Sequence, residues 1–398
     1  MKTKNLRLKK QEHRRIRAGH PWIFSNEINT AITPLKSFQP GDQVIVEAHD
    51  ETALGAAYVN PHSLICARLY STDPKQLLDL NFFIEKINLA LAVRTQLFSA
   101  PYYRLIFGES DQIPGLVIDR FGEHLTVQIN TAGMERCKEL IVQALLSCIP
   151  ETQSILFKND SSIRTQEGLV SEVIAAYGEP PETVTIEENN ARFIAPLMSG
   201  QKTGWFYDHR QNRLRLQDYV KNRHVLDVFS YVGAWGIQAA LYGAASVEFV
   251  DSSQQAINAV KENVKLNQLT TRLTTVCEDA FVVLKEYVQK RQTFNVIILD
   301  PPAFVKKAKD KAEGLLAYHR INELALKMLT PGGILISCSC SMQVSMQDLI
   351  DILQRISAKN QIPIQLLERG HQGPDHPLHL AIPETDYLKA LFIRKMTV

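Results

Sequence analysis

The stretch from His224 to Asp251 constrains the fold more than any other part of the chain. Val225 to Phe229 is a short apolar run that meets its turn at Ser230, and Gly233 stands at the start of an apolar-periodic helix. A second apolar run, Val247 to Val250, ends on Asp251. That order reads as strand, tight turn, helix, strand. Gly233 is the residue type that lets a backbone pass close to a ligand. An acidic group at the tip of the second strand of such a unit can accept hydrogen bonds from the ribose of a ligand bound over the first strand. Asp251 therefore suits an adenosine-containing cofactor. A dinucleotide turn needs G-x-G-x-x-G, and this one offers only Gly233 and Gly236, too few to bring a pyrophosphate onto the helix N-terminus. S-adenosylmethionine is favoured over NAD.

The alternation continues to the C-terminal side. Helices are expected over 254–266, 281–288 and 315–329, the last stopped by Pro331-Gly332-Gly333, with strands over 273–276, 294–300 and 334–342. Phe294 to Leu299 is apolar throughout, as a central parallel strand buried on both faces must be. Ligands of doubly wound sheets gather at the carboxyl ends of the strands. Asp227, Asp251, Asp279, Asp300 and Cys340 all fall at or near that edge.

Upstream, residues 1–72 read as mostly β with one early helix, enough for a small barrel, and 73–190 as a small α+β domain with helices over 76–98 and 134–149. Gly178-Glu179-Pro180-Pro181 is the clearest interruption before the last part of the chain. A chain of 398 residues can bury several cores. No apolar run approaches the roughly 18 residues of a membrane span, and the basic start lacks the apolar core of a signal peptide. The expectation is a cytoplasmic protein without a membrane partner. Six cysteines without C-x-x-C spacing form neither a disulfide framework nor a zinc pattern and read as reduced thiols. The net charge is only +2, yet Lys2, Lys4, Arg7, Lys9, Lys10, Arg14, Arg15 and Arg17 face Glu12 alone within the first twenty residues. Such a stretch either decorates a solvated face or contacts phosphates.

Two strand ends carry candidate chemistry. The prolines of Asp300-Pro301-Pro302-Ala303-Phe304 keep the backbone from pairing in a ladder, so its carbonyls and Asp300 can grip a planar base; an ordinary strand-ending turn is the alternative. Cys338 and Cys340 alternate with serines and point to one face of a strand. A buried cysteine is usually an inert small hydrophobe, but a thiolate at Cys340, across from Asp300, could attack a pyrimidine at C6. C5 of cytosine or uracil is a poor nucleophile until a covalent bond at C6 makes it enamine-like. Asp300 would then hold N3. His371, His376 and His379 have no partners of metal-site spacing and read as a loop covering the pocket; no metal is expected. Lys202 to Arg210 groups basic, aromatic and acidic residues before the opening strand, either beside the cofactor or as packing.

The segments His20-Pro-Trp-Ile-Phe-Ser25, Gly108 to Arg120, Lys202-Thr-Gly204, Asp300-Pro-Pro-Ala-Phe304, Ser339-Cys-Ser341 and Asp375-His-Pro377 resemble, in order, the signatures of the ribosomal RNA large subunit methyltransferase I family. These are S-adenosylmethionine-dependent enzymes making 5-methylcytosine in 23S rRNA. The resemblance implies an α/β fold: a C-terminal class I methyltransferase domain, Rossmann-like with a seven-stranded sheet, over 191–398, behind an N-terminal PUA β-barrel over 1–72 and the central α+β domain over 73–190. It implies Cys340 as nucleophile and Asp227, Phe229, Tyr231, Gly233, Asp251 and Asp279 around the cofactor. Ser230, Ser252, Ala280, Asp300, Pro301 and the Lys202, Thr203, Gly204 signature complete the expected cofactor set, with Cys340 and Asp300 catalytic. The expected activity is methylation of RNA cytosine C5, the target flipped toward Cys340. A homodimer stays open as an assembly. The alternatives are methylation of an exocyclic amine of guanine or adenine, with Cys340 dispensable, and a non-catalytic RNA-binding ribosome-assembly protein.

Overall fold

The computed structural model describes residues 4–200 and 202–397. The chain forms two compact units: Met1–Val184 with Pro196–Tyr207 and Pro374–Thr385, and Thr185–Ala195 with Asp208–Gly373 and Asp386–Val398.

The first unit opens with short strands: β1 (Lys4–Arg7), β2 (Trp22–Phe24), β3 (Asp42–Glu47), β4 (Ala53–Val59) and β5 (Ile65–Ser71). They form one sheet in the order β1-β3-β4-β5-β2, with β1 parallel to β3 and the other neighbours antiparallel. A second five-stranded sheet follows: β6 (Tyr102–Phe107), β7 (Leu116–Phe121), β8 (His124–Ile129), β9 (Ser154–Asn159) and β10 (Glu172–Tyr177), in the order β10-β9-β8-β7-β6. The helix expected over 76–98 runs Leu80–Leu97, because Asp79 caps it by accepting a hydrogen bond from the Phe82 amide at 2.9 Å. Its Phe82, Phe83 and Ile87 pack with Ala56, Tyr58 and Tyr70 in one core. Each such side chain contributes about 1.5–3 kcal/mol on burial. The sequence boundary at 72 thus crosses shared hydrophobic packing. The Trp22 indole donates to Glu109 at 2.7 Å and the Tyr58 hydroxyl to the Pro114 carbonyl at 2.8 Å.

Two features of this unit differ from the sequence reading. The basic start is partly neutralised: Arg7 pairs with Glu47 and Arg15 with Glu27, leaving Lys10, Arg14 and Arg17 exposed, while Lys2 lies outside the described residues. The histidine-bearing segment is a packed tie within this unit. Asp375 accepts the Arg104 amide at 3.0 Å, its carbonyl accepts the Arg94 guanidinium at 3.1 Å, and buried His376 packs at a tilt against Phe107. His371 belongs to the second unit.

The second unit holds the hairpin formed by β11 (Thr183–Glu188) and β12 (Ala191–Pro196) and one large sheet. The sheet strands are β13 (His224–Val228), β14 (Ser246–Asp251), β15 (Arg272–Cys277), β16 (Phe294–Leu299), β17 (Leu329–Ser339), β18 (Ile364–Gly370) and β19 (Lys389–Lys395). Their order is β15-β14-β13-β16-β17-β19-β18. All pairs from β15 to β17 are parallel, and β19 runs antiparallel to both its neighbours. The expected helix end at Leu329 and its stop at Pro331-Gly332-Gly333 are displaced: the helix is Lys311–Met328 and β17 begins at Leu329. Pairing jumps from Phe294 with Leu329 to Val296 with Ile334, so the Pro-Gly-Gly tripeptide sits in the resulting irregularity, where proline removes no ladder bond.

Candidate active site

The chain runs outward from β13 through β14 to β15 and then returns to β16 on the other side of β13. The strand order therefore reverses between β13 and β16, which in open parallel sheets is where a ligand crevice forms. Asp227 is near the end of β13, Asp300 follows β16, and the Asp300 amide lies 3.4 Å from the Val228 carbonyl.

The turn after β13 has unusual backbone. Phe229 has φ +63°, Tyr231 φ +49° and Gly233 φ +84°. Left-handed conformations at bulky residues cost about 1–3 kcal/mol each and collect at functional sites. The turn is tied to β14, since the Phe229 and Ser230 amides both donate to the Val250 carbonyl, at 2.9 and 3.1 Å. Gly233 also has a packing role that the sequence reading did not assign. A Cβ there would stand 3.1–3.3 Å from Ile237, Val260 and Phe249, so the glycine serves the positive φ and the close helix packing. Gly236 is tighter still, its would-be Cβ 2.3 Å from the Phe249 ring.

Asp251 accepts the Tyr231 amide on one oxygen and the Ser253 amide on the other, each at 2.9 Å, and every carboxylate oxygen keeps a second lone pair for a ligand. Ser252 is exposed beside it. Asp279 has a role the sequence reading did not assign: it caps the helix Ala280–Gln289, accepting the Phe281 and Val282 amides at 2.9 and 3.1 Å, and Ala280 is buried at the helix start. Asp227 is fully buried, and one of its oxygens accepts the Gly236 amide at 2.9 Å. Burial, with Asp300 and Asp251 nearby, pushes its carboxyl up to about 7. Its other oxygen and the buried Ser230 hydroxyl have no partner among the described residues. Orphaned polar atoms on one turn of a switch point are what a polar ligand would satisfy.

On the other side, Asp300 is held by two donors. The Trp235 indole donates to Oδ2 at 3.0 Å, and Nε2 of buried His209 stands 3.2 Å from Oδ1, off the line of an ideal bond. The two rings meet edge on, 5.3 Å apart. Burial works against the ionised carboxylate, but His209 and Trp235 outweigh it and hold Asp300 below the usual carboxylate range. Pro301, next in the chain, is buried. Polar atoms of His209, Asp300 and Cys338 lie within 4.8 Å of one another, close enough to converge on an ion. The tautomer opposes that. The Asn212 amide nitrogen donates to the His371 carbonyl at 3.1 Å, so it also donates to His209 Nδ1 at 3.2 Å, and the His209 proton sits on Nε2 facing Asp300. A metal-bound histidine has the reverse arrangement.

The two cysteines of the β17 end differ. Leu299 pairs with Ser337, which puts Cys338, and not Cys340, level with Asp300. Cys338 is 1% exposed, and burial pushes its thiol well above the ordinary range. Cys340 follows the strand and is partly exposed. Its flanking serines are pinned: the Ser339 hydroxyl donates to Tyr318 at 2.8 Å, and the same phenol lies 3.0 Å from the Ser341 hydroxyl. The Ser341 hydroxyl also accepts the Val305 amide, and Lys389 Nζ reaches the Ser341 carbonyl at 2.7 Å. Phe229, Phe281 and Tyr318 surround the Phe304 ring at 4.8–6.2 Å between ring centres.

Lys202, Thr203 and Gly204 fall in the first unit. Lys202 lies over the Phe206 ring at 4.8 Å, and a Cβ on Gly204, at φ +112°, would meet the Pro196 carbonyl at 2.6 Å. The sequence reading missed His209, Trp235 and Lys389. The first two stood in segments noted for other reasons, a histidine preceding the opening strand of a parallel sheet being the available signal for His209, while Lys389 lies in β19, which was not read.

Residues 165–394 match the S-adenosylmethionine-dependent methyltransferase family, the class that the strand order and its switch-point site define, and residues 6–72 match the PUA-like domain. Over 98% of its length the chain is 36% identical to the ribosomal RNA large subunit methyltransferase I of Aliivibrio fischeri, covering 99% of that protein. It is 37% identical to that of Shewanella frigidimarina over 98% of each. The chain belongs to the ribosomal RNA large subunit methyltransferase I family. The crystal structure of SMU.776 complexed with SAH shares the fold, with a TM-score of 0.84 at 22% identity over 98% of this chain and 100% of that one. Among the described residues no helix is long and apolar enough to cross a membrane.

Proposed function

We propose that this protein methylates C5 of a cytosine in RNA, 23S rRNA being the expected molecule, through a covalent bond between Cys340 and C6. The observation that carries the reading is the contrast at the end of β17. Cys338 is sealed and held as a neutral thiol, while Cys340 is partly exposed on a turn fixed from both sides by Ser339, Ser341 and Tyr318. A nucleophile needs that combination of access and fixed geometry.

Cys340, as its thiolate, would attack C6. The electron density displaced through the ring would be met by a proton taken up from solvent at N3 and returned to solvent when the adduct resolves, with Asp300 holding the N3–H meanwhile. An ionised Asp300, steadied by His209 and Trp235, can accept a hydrogen bond from a protonated N3 and so favours that form. The adduct makes C5 electron-rich. When bound, S-adenosylmethionine supplies an electrophilic methyl group. Loss of the C5 proton would then let the Cys340 sulfur leave as C5=C6 reforms. Asp227, Phe229, Ser230, Tyr231, Gly233, Asp251, Ser252, Asp279 and Ala280, with the backbone at Asp300 and Pro301, are assigned to the cofactor. The orphaned oxygens of Asp227 and Ser230 and the spare lone pairs of Asp251 support that assignment. Residues 1–72 and 73–190 are assigned to RNA recognition, with Lys10, Arg14 and Arg17 as phosphate contacts whose binding weakens steeply with salt.

The test is Cys340→Ala. It should abolish methyl transfer to rRNA from a strain lacking the enzyme while calorimetry still registers cofactor binding. Full activity in that variant would instead favour transfer to an exocyclic amine.

A further inference from the structure

Lys389 is an unusual residue for its place. β19 pairs it with Ser339, so its backbone lies beside the strand end that carries Cys340. It is 4% exposed, and Nζ donates to the carbonyls of Ser341 and Tyr387, both at 2.7 Å. Among the described residues no carboxylate forms an ion pair with it, although Asp386 and Asp348 stand near enough to be felt. Burying an ammonium with only neutral acceptors is costly. An ionisable group kept in that condition at the edge of a proposed active site is a candidate for function.

The charge that Lys389 feels most is that of Cys340. Tyr318, on the helix Lys311–Met328, and Cys338, on β17, also feel the charge of Cys340, and Asp300, Asp208 and Arg213 act on Cys338. The cations among these groups are Arg213, which acts on Cys338, and Lys389, whose Nζ donates to the carbonyl of Ser341 next to Cys340. Burial pushes its ammonium down to about 8.

We infer that Lys389 holds Cys340 as a thiolate, a positioning residue that acts through the nucleophile, and this rests on the reading of Cys340 given above. The thiol proton leaves to solvent and its electron pair stays on sulfur. Of the three N–H bonds of the ammonium, two are taken by the Ser341 and Tyr387 carbonyls and the third is left for the thiolate.

The test follows alkylation of the full-length protein by iodoacetamide between about pH 6 and pH 10, read at residue 340 by peptide mass spectrometry because the chain has six cysteines. In the wild type the midpoint for Cys340 should fall below the ordinary thiol value of about 8.5. Lys389→Met should raise it by about one unit or more, a roughly tenfold loss of reactivity at neutral pH, and Lys389→Arg should restore the low midpoint. A wild-type midpoint at or above the ordinary value overturns the inference even if Lys389→Met does not fold, and so does a Lys389→Met curve matching the wild type. Methyl transfer by Cys340→Ala separates the two readings. An inactive Cys340→Ala with an unshifted Lys389→Met midpoint removes the lysine and leaves the nucleophile; an active Cys340→Ala removes both.

Discussion

On either side of the crevice between β13 and β16 the same sheet is built in two ways. The β13 side depends on backbone: a turn with Phe229, Tyr231 and Gly233 at positive φ, bound to Val250, and two buried polar atoms with no partner. The β17 side depends on side chains: Tyr318, Ser339, Ser341 and Lys389 form a network around Cys340 whose bonds are already made. The first side leaves polar atoms open, which would suit the cofactor proposed for it. The second has its bonds made beforehand, which would suit the attack proposed for Cys340. Variants on the two sides should therefore fail differently, one in cofactor affinity and the other in rate.

The largest expected effect contrasts the two cysteines. Cys340→Ala should lower the methylation rate by at least about 10³-fold, as loss of a nucleophile does, while Cys338→Ala stays within about threefold of wild type. Equal losses would erase the distinction. Tyr318→Phe keeps the ring against Phe304 and removes the hydroxyl shared by Ser339 and Ser341; single-turnover kinetics should show a fall of about tenfold to a hundredfold, with cofactor affinity unchanged. On the β13 side, Asp251→Ala should weaken cofactor binding by about tenfold or more in calorimetry, since it removes acceptors and frees the Tyr231 amide. Its rate at saturating cofactor should change far less.

Smaller effects concern stability. Gly236→Ala forces a methyl against the Phe249 ring and should cost about 1–3 kcal/mol in chemical denaturation. Asp227 gives a pH signature. Its carboxyl, raised from 3.8 to about 7, binds its proton more tightly in the folded chain, so its contribution to stability is complete below the unfolded value and lost as pH rises through about 7. In the cofactor-free protein, the thermal midpoint of Asp227→Asn should gain on wild type as pH rises through that window. A constant gap would show that Asp227 is not buried in the way described.

The sheet around the site was legible because parallel strands buried on both faces leave continuous apolar runs: β13, β14 and β16 lie within a residue or two of where the sequence places them. β18 and β19 were not read from the residues. β18 is an edge strand of alternating exposure, and β19, though apolar from Ala390 to Ile393, stands far along the chain from the strands it joins. The acidic residues at strand ends were legible as a set, but Asp279 turned out to cap a helix as well, a local role that any Asp before a helix can take. What holds Asp300 and Cys340 was hidden for another reason. His209, Trp235, Tyr318 and Lys389 reach the site from four separate segments, and only the register of β16, β17 and β19 brings them together.

The most direct measurement is mass spectrometry of the protein incubated with S-adenosylmethionine and rRNA carrying 5-fluorocytidine, whose C5 cannot lose a proton, so that an adduct at C6 cannot resolve. A protein–RNA species joined at Cys340, formed by wild type and by Cys338→Ala but not by Cys340→Ala, is the predicted result. Methylation of unmodified rRNA by the same preparation with no trapped species, or a species joined at another residue, would contradict the covalent role of Cys340.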